Sequence, residues 1–407
     1  MRKTAIIAII ITTLLLPNIN AQETGIQPRA GHRMIYSPEK DIIVIFGGMT
    51  VNTGNYYDDL WTYSPEENTF QRVITDTAPS PRGAPGFAYN PDKQECLLFG
   101  GLHTSRLSDT WVLNLETMTW TKENPETSPS ARSDTGLIYD RVMKRYILYG
   151  GYGGGLQDDT WSYDPEKKNW NKIETDHSPG KIYGQSMMWN PALEQIIMYG
   201  GHLNSPSSST FLNEVWSFNS ETQDWEQEQS IDNVQGRYWA AADITETGLL
   251  VSFGGSSGTL GDTVIINTAS DKWSSTNVDQ PTPSPRFFAQ LSYIGDNKFI
   301  LFGGGTSDQV YGDIWLYQVG SGWTELAPNY GTQPDRETRG IIVPTWMILI
   351  GIILVIATKR FKNGYAGSKK VKVINYSTLQ VQFNYFEGLK EILEIEGIMK
   401  QEGLSIM

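Results

Sequence analysis

The sequence predicts an all-β fold made of six copies of one four-stranded unit. Three observations carry that prediction. A Gly-Gly pair recurs at Gly47-Gly48, Gly100-Gly101, Gly150-Gly151, Gly200-Gly201, Gly254-Gly255 and Gly303-Gly304, at intervals of 53, 50, 50, 54 and 49 residues. Each pair closes a short apolar run, and a fixed period of this length signals a repeat architecture. Aromatic residues keep phase with the pairs, and no 3.6-residue apolar periodicity runs through residues 29–327.

Copy two shows the unit. Arg82 opens an alternating stretch through Gly86, Phe87, Ala88 and Tyr89, and Asn90-Pro91-Asp92-Lys93 breaks it. Cys96-Leu97-Leu98-Phe99 then runs into Gly100-Gly101, and Asp109 to Asn114 and Thr117 to Trp120 follow. Apolar runs separated by Asn, Pro, Asp and Gly read as four antiparallel strands, A to D. Strand C carries Trp61, Trp111, Trp161, Trp216 and Trp315, with Val264 in copy five. Strand D carries Phe70, Trp120, Trp170, Trp225, Trp273 and Trp323. Ten of the thirteen Trp thus occupy two repeat positions, which assigns them to packing. Each such ring buries ~150–250 Å², worth roughly 4–6 kcal/mol as an upper bound.

The Gly-Gly closing strand B, the acid two residues before the strand-C Trp, and the strand-D Trp together resemble the kelch repeat. The resemblance covers about 300 residues and all six copies, with Val264, Phe70 and Lys181 as departures. It implies one four-stranded blade per copy and hence a six-bladed kelch-type β-propeller, from about residue 29 to 327, whose radial closure leaves only short strand edges. Each copy supplies its own strands A to D, so closure needs no blade stitched from both chain ends. Gly25 to Pro28 is the segment expected to add a last strand.

The ends read differently. Residues 1–21 have a charged start at Arg2-Lys3, an apolar core from Ala5 to Leu16 and a cleavage-like Ile19-Asn20-Ala21, the anatomy of a secretory signal. The propeller domain then spans 22–335, with a linker at 336–340. Residues 341–358 form an apolar segment just long enough, at ~1.5 Å per residue, to cross a ~30 Å hydrocarbon core as one transmembrane helix. Lys359, Arg360 and Lys362 follow it and place the tail, 359–407, on the cytoplasmic side. In that tail, 371–386 alternates like a strand and 387–399 has a helical apolar rhythm, whose face calls for a cover: the bilayer surface, a second copy of the chain or a cytoplasmic partner. The expected topology is a single-pass protein of the cell membrane with its propeller outside.

The chain carries −13 overall, and the tail holds eight Lys/Arg against five Glu. Removing the tail and the two signal charges leaves −18 on the exported part, which disfavours nucleic acid as a ligand. Cys96 stands alone in a strand-B run, so no intrachain disulfide exists and a small buried thiol is expected. The one permitted N-x-Ser/Thr match, Asn375-Tyr376-Ser377, falls in the tail. These two absences fit a prokaryotic cell envelope.

Little in the sequence points to catalysis. His32, His103, His177 and His202 form no H-x-H or H-x-x-x-H pair, and no cofactor or metal site is predicted. Kelch-like propellers include copper oxidases of galactose, whose Tyr–Cys cofactor is incompatible with a lone strand Cys, and sialic acid mutarotases. Gly150 to Gly155 lacks the Lys-Ser/Thr of a phosphate loop and reads as a loop. Two rings of charge recur instead. Arg29, Arg82, Arg132, Lys181, Arg237 and Arg286 open strand A, and Asp59, Asp109, Asp159, Glu214, Asp262 and Asp313 precede strand C.

Pairing between these rings would tie the loops down. Alternatively, the bases point into the channel mouth and bind a ligand, with His103, His202, Tyr183 and Trp239 beside them. Aromatics beside cations suit sugar faces and protein hot spots alike. The expected function is a binding platform for an extracellular protein or glycan, on the face of the B–C and D–A loops. The alternatives are an exported carbohydrate-active enzyme of the mutarotase type, or a structural envelope protein.

Overall fold

The computed structural model describes residues 25–50, 54–205, 208–228, 234–268 and 282–330. The chain divides into two units, Met1–Glu337 and Thr338–Met407, and everything described belongs to the first. The expected signal (1–21), membrane segment (341–358) and tail (359–407) lie outside the described residues, among which no helix is long and apolar enough to cross a membrane.

Every copy folds as an antiparallel sheet. Copy one gives β1 (Arg33–Ser37), β2 (Ile42–Phe46), β3 (Leu60–Ser64) and β4 (Thr69–Val73). Copy two gives β5 (Gly86–Asn90), β6 (Glu95–Leu102), β7 (Arg106–Asn114) and β8 (Thr119–Glu123). Copy three gives β9 (Gly136–Asp140), β10 (Arg145–Tyr149), β11 (Thr160–Asp164) and β12 (Asn169–Ile173). Copy four opens with β13 (Ile182–Tyr183), and its sheet is β14 (Ser186–Asn190), β15 (Gln195–Tyr199), β18 (Val215–Asn219) and β19 (Asp224–Gln227). Its long B–C connection, expected as a loop, forms a hairpin of β16 (His202–Ser205) and β17 (Ser208–Phe211) that pairs with β13. Copy five shows β20 (Ala241–Ile244), β21 (Leu249–Phe253) and β22 (Thr263–Asn267), its Trp273 region lying outside the described residues. Copy six gives β23 (Gln290–Tyr293), β24 (Lys298–Phe302), β25 (Ile314–Gln318) and β26 (Gly322–Leu326).

The sheets meet in a closed ring. Each first strand touches two others, in the cycle β1, β5, β9, β14, β20, β23 and back to β1. An apolar core fills each of the six gaps, for example Ile43, Ile45 and Phe70 of copy one against Ile300, Phe302 and Ile314 of copy six. Closure corrects one expectation. A last strand, β27 (Asn329–Tyr330), lies parallel on β4, so sheet one is completed by the chain that follows copy six. The edge of β4 offers unpaired backbone groups there, and Asn329 N–H takes the Asn68 carbonyl at 2.8 Å. Gly25, expected to begin an added strand, lies beneath Tyr330, where a Cβ would fall 2.6 Å from Cε1.

Both glycines of each pair are needed. At the first, φ runs from 63° to 68°, and a Cβ on Gly254 would stand 2.3 Å from the carbonyl oxygen of Arg286 in the next copy. The second glycine donates its N–H to that same oxygen, as Gly255 does to Arg286 at 2.9 Å.

The strand-D indoles make a second tie. Trp170, Trp225 and Trp323 donate Nε1–H to Thr110, Thr160 and Thr263 on strand C of the preceding copy. Phe70 replaces Trp where the preceding copy offers Ile314 instead of a hydroxyl. Trp120 faces Leu60 at that position, and its Nε1 is buried without a partner.

Candidate functional site

The five arginines of the basic ring are not a ligand site. Each is buried, at 0–1% exposure. Arg82 spends all five guanidinium N–H groups on the protein: Nε on Ser80 O, Nη1 on Gly100 O and Asp109 Oδ1, Nη2 on Ser80 Oγ and Asp109 Oδ2. Arg132 repeats that set with Ser130, Gly150 and Asp159. Arg29, Arg237 and Arg286 pair in the same bidentate way with Asp59, Asp262 and Asp313.

Of the two readings of the rings, the geometry supports the structural one. The arginine backbone bonds to the preceding copy while its side chain grips its own, so each is a staple across a gap. Burial pushes the Asp59, Asp109, Asp159 and Asp313 carboxyls up, but the arginine hydrogen bonds and charge and the indole N–H two residues on hold them below the usual range.

Lys181 is not the sixth base. Gly151 N–H bonds to Ile182 O, so Ile182 holds the arginine position, fully buried in the apolar gap between copies three and four. Lys181 is exposed one residue earlier, and no ion pair joins it to Glu214 among the described residues. Glu214 keeps only the Trp216 N–H part of the pattern, at 3.1 Å.

Two residues beyond the staple position the backbone turns left-handed in all six copies: Gly31, Ala84, Asp134, Gly184, Trp239 and Phe288, with φ between 47° and 70°. Their peptides form a closed circle. Ala84 N–H bonds to Gly31 O, and so on through Asp134, Gly184, Trp239 and Phe288, until Gly31 N–H bonds to Phe288 O at 3.0 Å. Four of the six are not glycine, and each accepts strain of about 1–2 kcal/mol that the circle holds in place. Trp239 Nε1–H reaches Asp134 Oδ1 at 3.0 Å, passing over Gly184, whose Cβ would lie 2.7 Å from the indole.

Outside this circle lies a continuous aromatic tier. Trp239 stacks on Phe288 at 4.0 Å and touches Tyr238 at 4.2 Å. Tyr238 stacks on Phe211 of the hairpin, 5.2 Å apart and 3° from parallel. Tyr183 contacts Tyr152, Tyr238 and Trp239, and its hydroxyl lies 2.8 Å from Nδ1 of His202. Arg106 lies over the Tyr152 ring, its guanidinium 4.0 Å from the centroid. Tyr152 and Phe211 are 40% and 37% exposed, unusual for large apolar rings. Burial lowers the His202 pKa and pushes the Tyr183 hydroxyl up to about 12, so both are neutral near pH 7.

Of the aromatic and histidine candidates, Tyr183, Trp239 and His202 meet in this tier. His103 stands apart, edge-on to Tyr56 at 5.1 Å. His177 is exposed and bonds Asp224 at 2.7 Å, and Cys96 is buried in its strand. Among the described residues no group of three His, Cys, Asp or Glu is placed to hold a metal ion. Sequence reasoning missed Tyr152, hidden in a glycine run, and Phe211, hidden behind serines. Asp134 was detectable as the single acid at its repeat position.

Six sheets whose first strands meet in a ring, with connecting loops gathered into one aromatic face, define a propeller-like repeat protein. A family model described as the KLHDC2/KLHL20/DRC7 Kelch-repeats domain matches residues 4–201 and again 188–363. The chain belongs to this kelch-repeat family. No curated protein matches it.

Proposed function

We propose that this chain is a membrane-anchored kelch propeller, held outside the cytoplasm, that binds a protein or glycan through its B–C and D–A loop face. The aromatic tier carries the proposal. Aromatic rings in contact, with two large exposed members, form the kind of surface that supplies binding energy at low entropic cost. Recognition by loops on a rigid scaffold is the usual arrangement, and the tier draws on copies three to six. The apolar segment 341–358 provides the bilayer anchor, 1–21 directs export, and 359–407 remains available to a cytoplasmic partner. The exported part's charge of −18 argues against nucleic acid.

Glycan-array binding by the full-length chain tests the ligand class. Saturable binding supports a carbohydrate ligand. A blank array removes the glycan reading and leaves a protein partner for the same face.

A further inference from the structure

The first strands of the six sheets enclose an axial cavity of about 520 Å³, within the usual range for small-molecule sites. Its loop end is constricted by the circle of peptides. Its other end is rimmed by aromatic residues at one repeat position: Tyr36, Tyr89, Tyr139, Trp189 and Tyr293. Four of these hydroxyls donate to carboxylates in the A–B turns (Tyr36 to Asp41, Tyr89 to Glu39, Tyr139 to Asp92, Tyr293 to Glu246), which fixes the rings in place.

Charged residues break the repeat inside this cavity. Arg33 stands where the other copies have Gly86, Gly136, Ser186, Ala241 and Gln290. Asp243 stands where they have Ile35, Ala88, Ile138, Met188 and Ser292. The fold does not require either charge, since five copies manage without it, and such local exceptions mark functional positions.

Arg33 donates Nε–H to Pro85 O, and among the described residues its two terminal nitrogens have no protein acceptor. Asp134 lies near enough to influence it, but both Asp134 oxygens are already engaged, by Trp239 and Ser133. Asp243 accepts only backbone N–H groups, from Ile244 at 2.8 Å and Tyr293 at 2.7 Å, and no cation pairs with it among the described residues. Arg33 leans toward copy two and Asp243 toward copy six, so the two stand two copies apart in the ring of six, about a third of a turn around the axis. They are offset by two strand positions, about 7 Å along the channel.

We propose that the axial cavity binds a small ω-amino acid, its carboxylate on the terminal nitrogens of Arg33 and its ammonium on Asp243. The carbon chain between them spans the axial offset, and the rim aromatics offer π-faces to the entering ammonium. A cation and an anion that line one cavity without an ion-pair partner among the described residues call for a ligand carrying both charges, because a neutral one leaves both without a counter-charge. Arg33 and Asp243 lie outside the aromatic tier, so the proposal does not rest on the binding-platform reading.

Calorimetric titration of the full-length chain with a series from glycine to 6-aminohexanoate tests the proposal. Affinity rises with chain length to an optimum beyond glycine. The methyl ester and the N-acetyl derivative of the best member each bind roughly tenfold weaker or worse, as expected for losing one charged hydrogen-bonding group. Arg33→Gln loses a similar factor, while Ile74→Ser, at an exposed position that does not line the cavity, changes nothing. Equal binding of the ester, preference for glucuronate over every amino acid, or no binding across the series would each overturn the proposal. If Arg33→Gln fails to fold, the ester and N-acetyl comparison on the wild-type chain decides alone.

Discussion

Replacing Arg82 by Ile isolates the staple that joins adjacent copies. Copy four already carries this arrangement, with Ile182 at the staple position and Glu214 at the acid. In copy two the change removes five hydrogen bonds from a fully buried guanidinium and strands Asp109, whose side chain is only 20% exposed, with the Trp111 N–H as its remaining side-chain donor. Breaking a buried pair from one side costs about 3–5 kcal/mol, mostly from the uncompensated charge left behind. Neutralising that charge in Arg82→Ile/Asp109→Asn brings the cost down to about 1–2 kcal/mol, a rescue of ~2 kcal/mol relative to the single variant. Urea denaturation followed by tryptophan fluorescence measures both variants, with the slope checked against wild type. A single variant within ~1 kcal/mol of wild type, or a double variant worse than the single, would refute the staple reasoning.

The remaining predictions concern a glycine and a histidine. Gly254→Ala, which forces a Cβ to 2.3 Å from Arg286 O at φ 66°, costs about 2–4 kcal/mol, whereas Gly154→Ala, with nothing within 4 Å, changes stability little; the same denaturation series separates them. His32 is buried with both ring nitrogens unpartnered, and burial, then the charges of Arg29 and Arg33, hold its pKa well below 6.5. The unfolded chain therefore binds the proton first, so its contribution to stability falls as pH drops below about 6.5. His32→Leu removes that loss, and its stability relative to wild type grows by about 2 kcal/mol between pH 7.5 and pH 5; a pH-independent difference would show that His32 does not titrate as the structure requires.

Six-fold repetition made much of the fold legible. A residue that recurs for a steric reason, such as Gly47 under the Arg82 carbonyl, recurs at a fixed period that one sequence displays. The charge rings were equally visible, and their pairing was one of two readings open to the sequence. Lys181 misled because charge alone placed it at the sixth base, whereas backbone hydrogen bonding places Ile182 there. The closing strand was missed because Asn329-Tyr330 is too short to show any alternation. The aromatic tier was half legible. Tyr183 and Trp239 follow the staple position directly, but Phe211 reaches Tyr238 only because a serine-rich connection folds back as a hairpin.

The most direct test of the loop-face account is one binding measurement on two proteins, wild type and Tyr152→Ser/Phe211→Ser, with folding verified by their denaturation curves. Both rings are partly exposed, at 40% and 37%, so the substitutions cost about 1 kcal/mol of stability each and leave the fold intact. The account predicts that binding to any glycan or protein ligand of the wild type weakens at least ~10-fold in the variant while the fold persists. Unchanged affinity in a folded variant would contradict it and move recognition away from the aromatic tier.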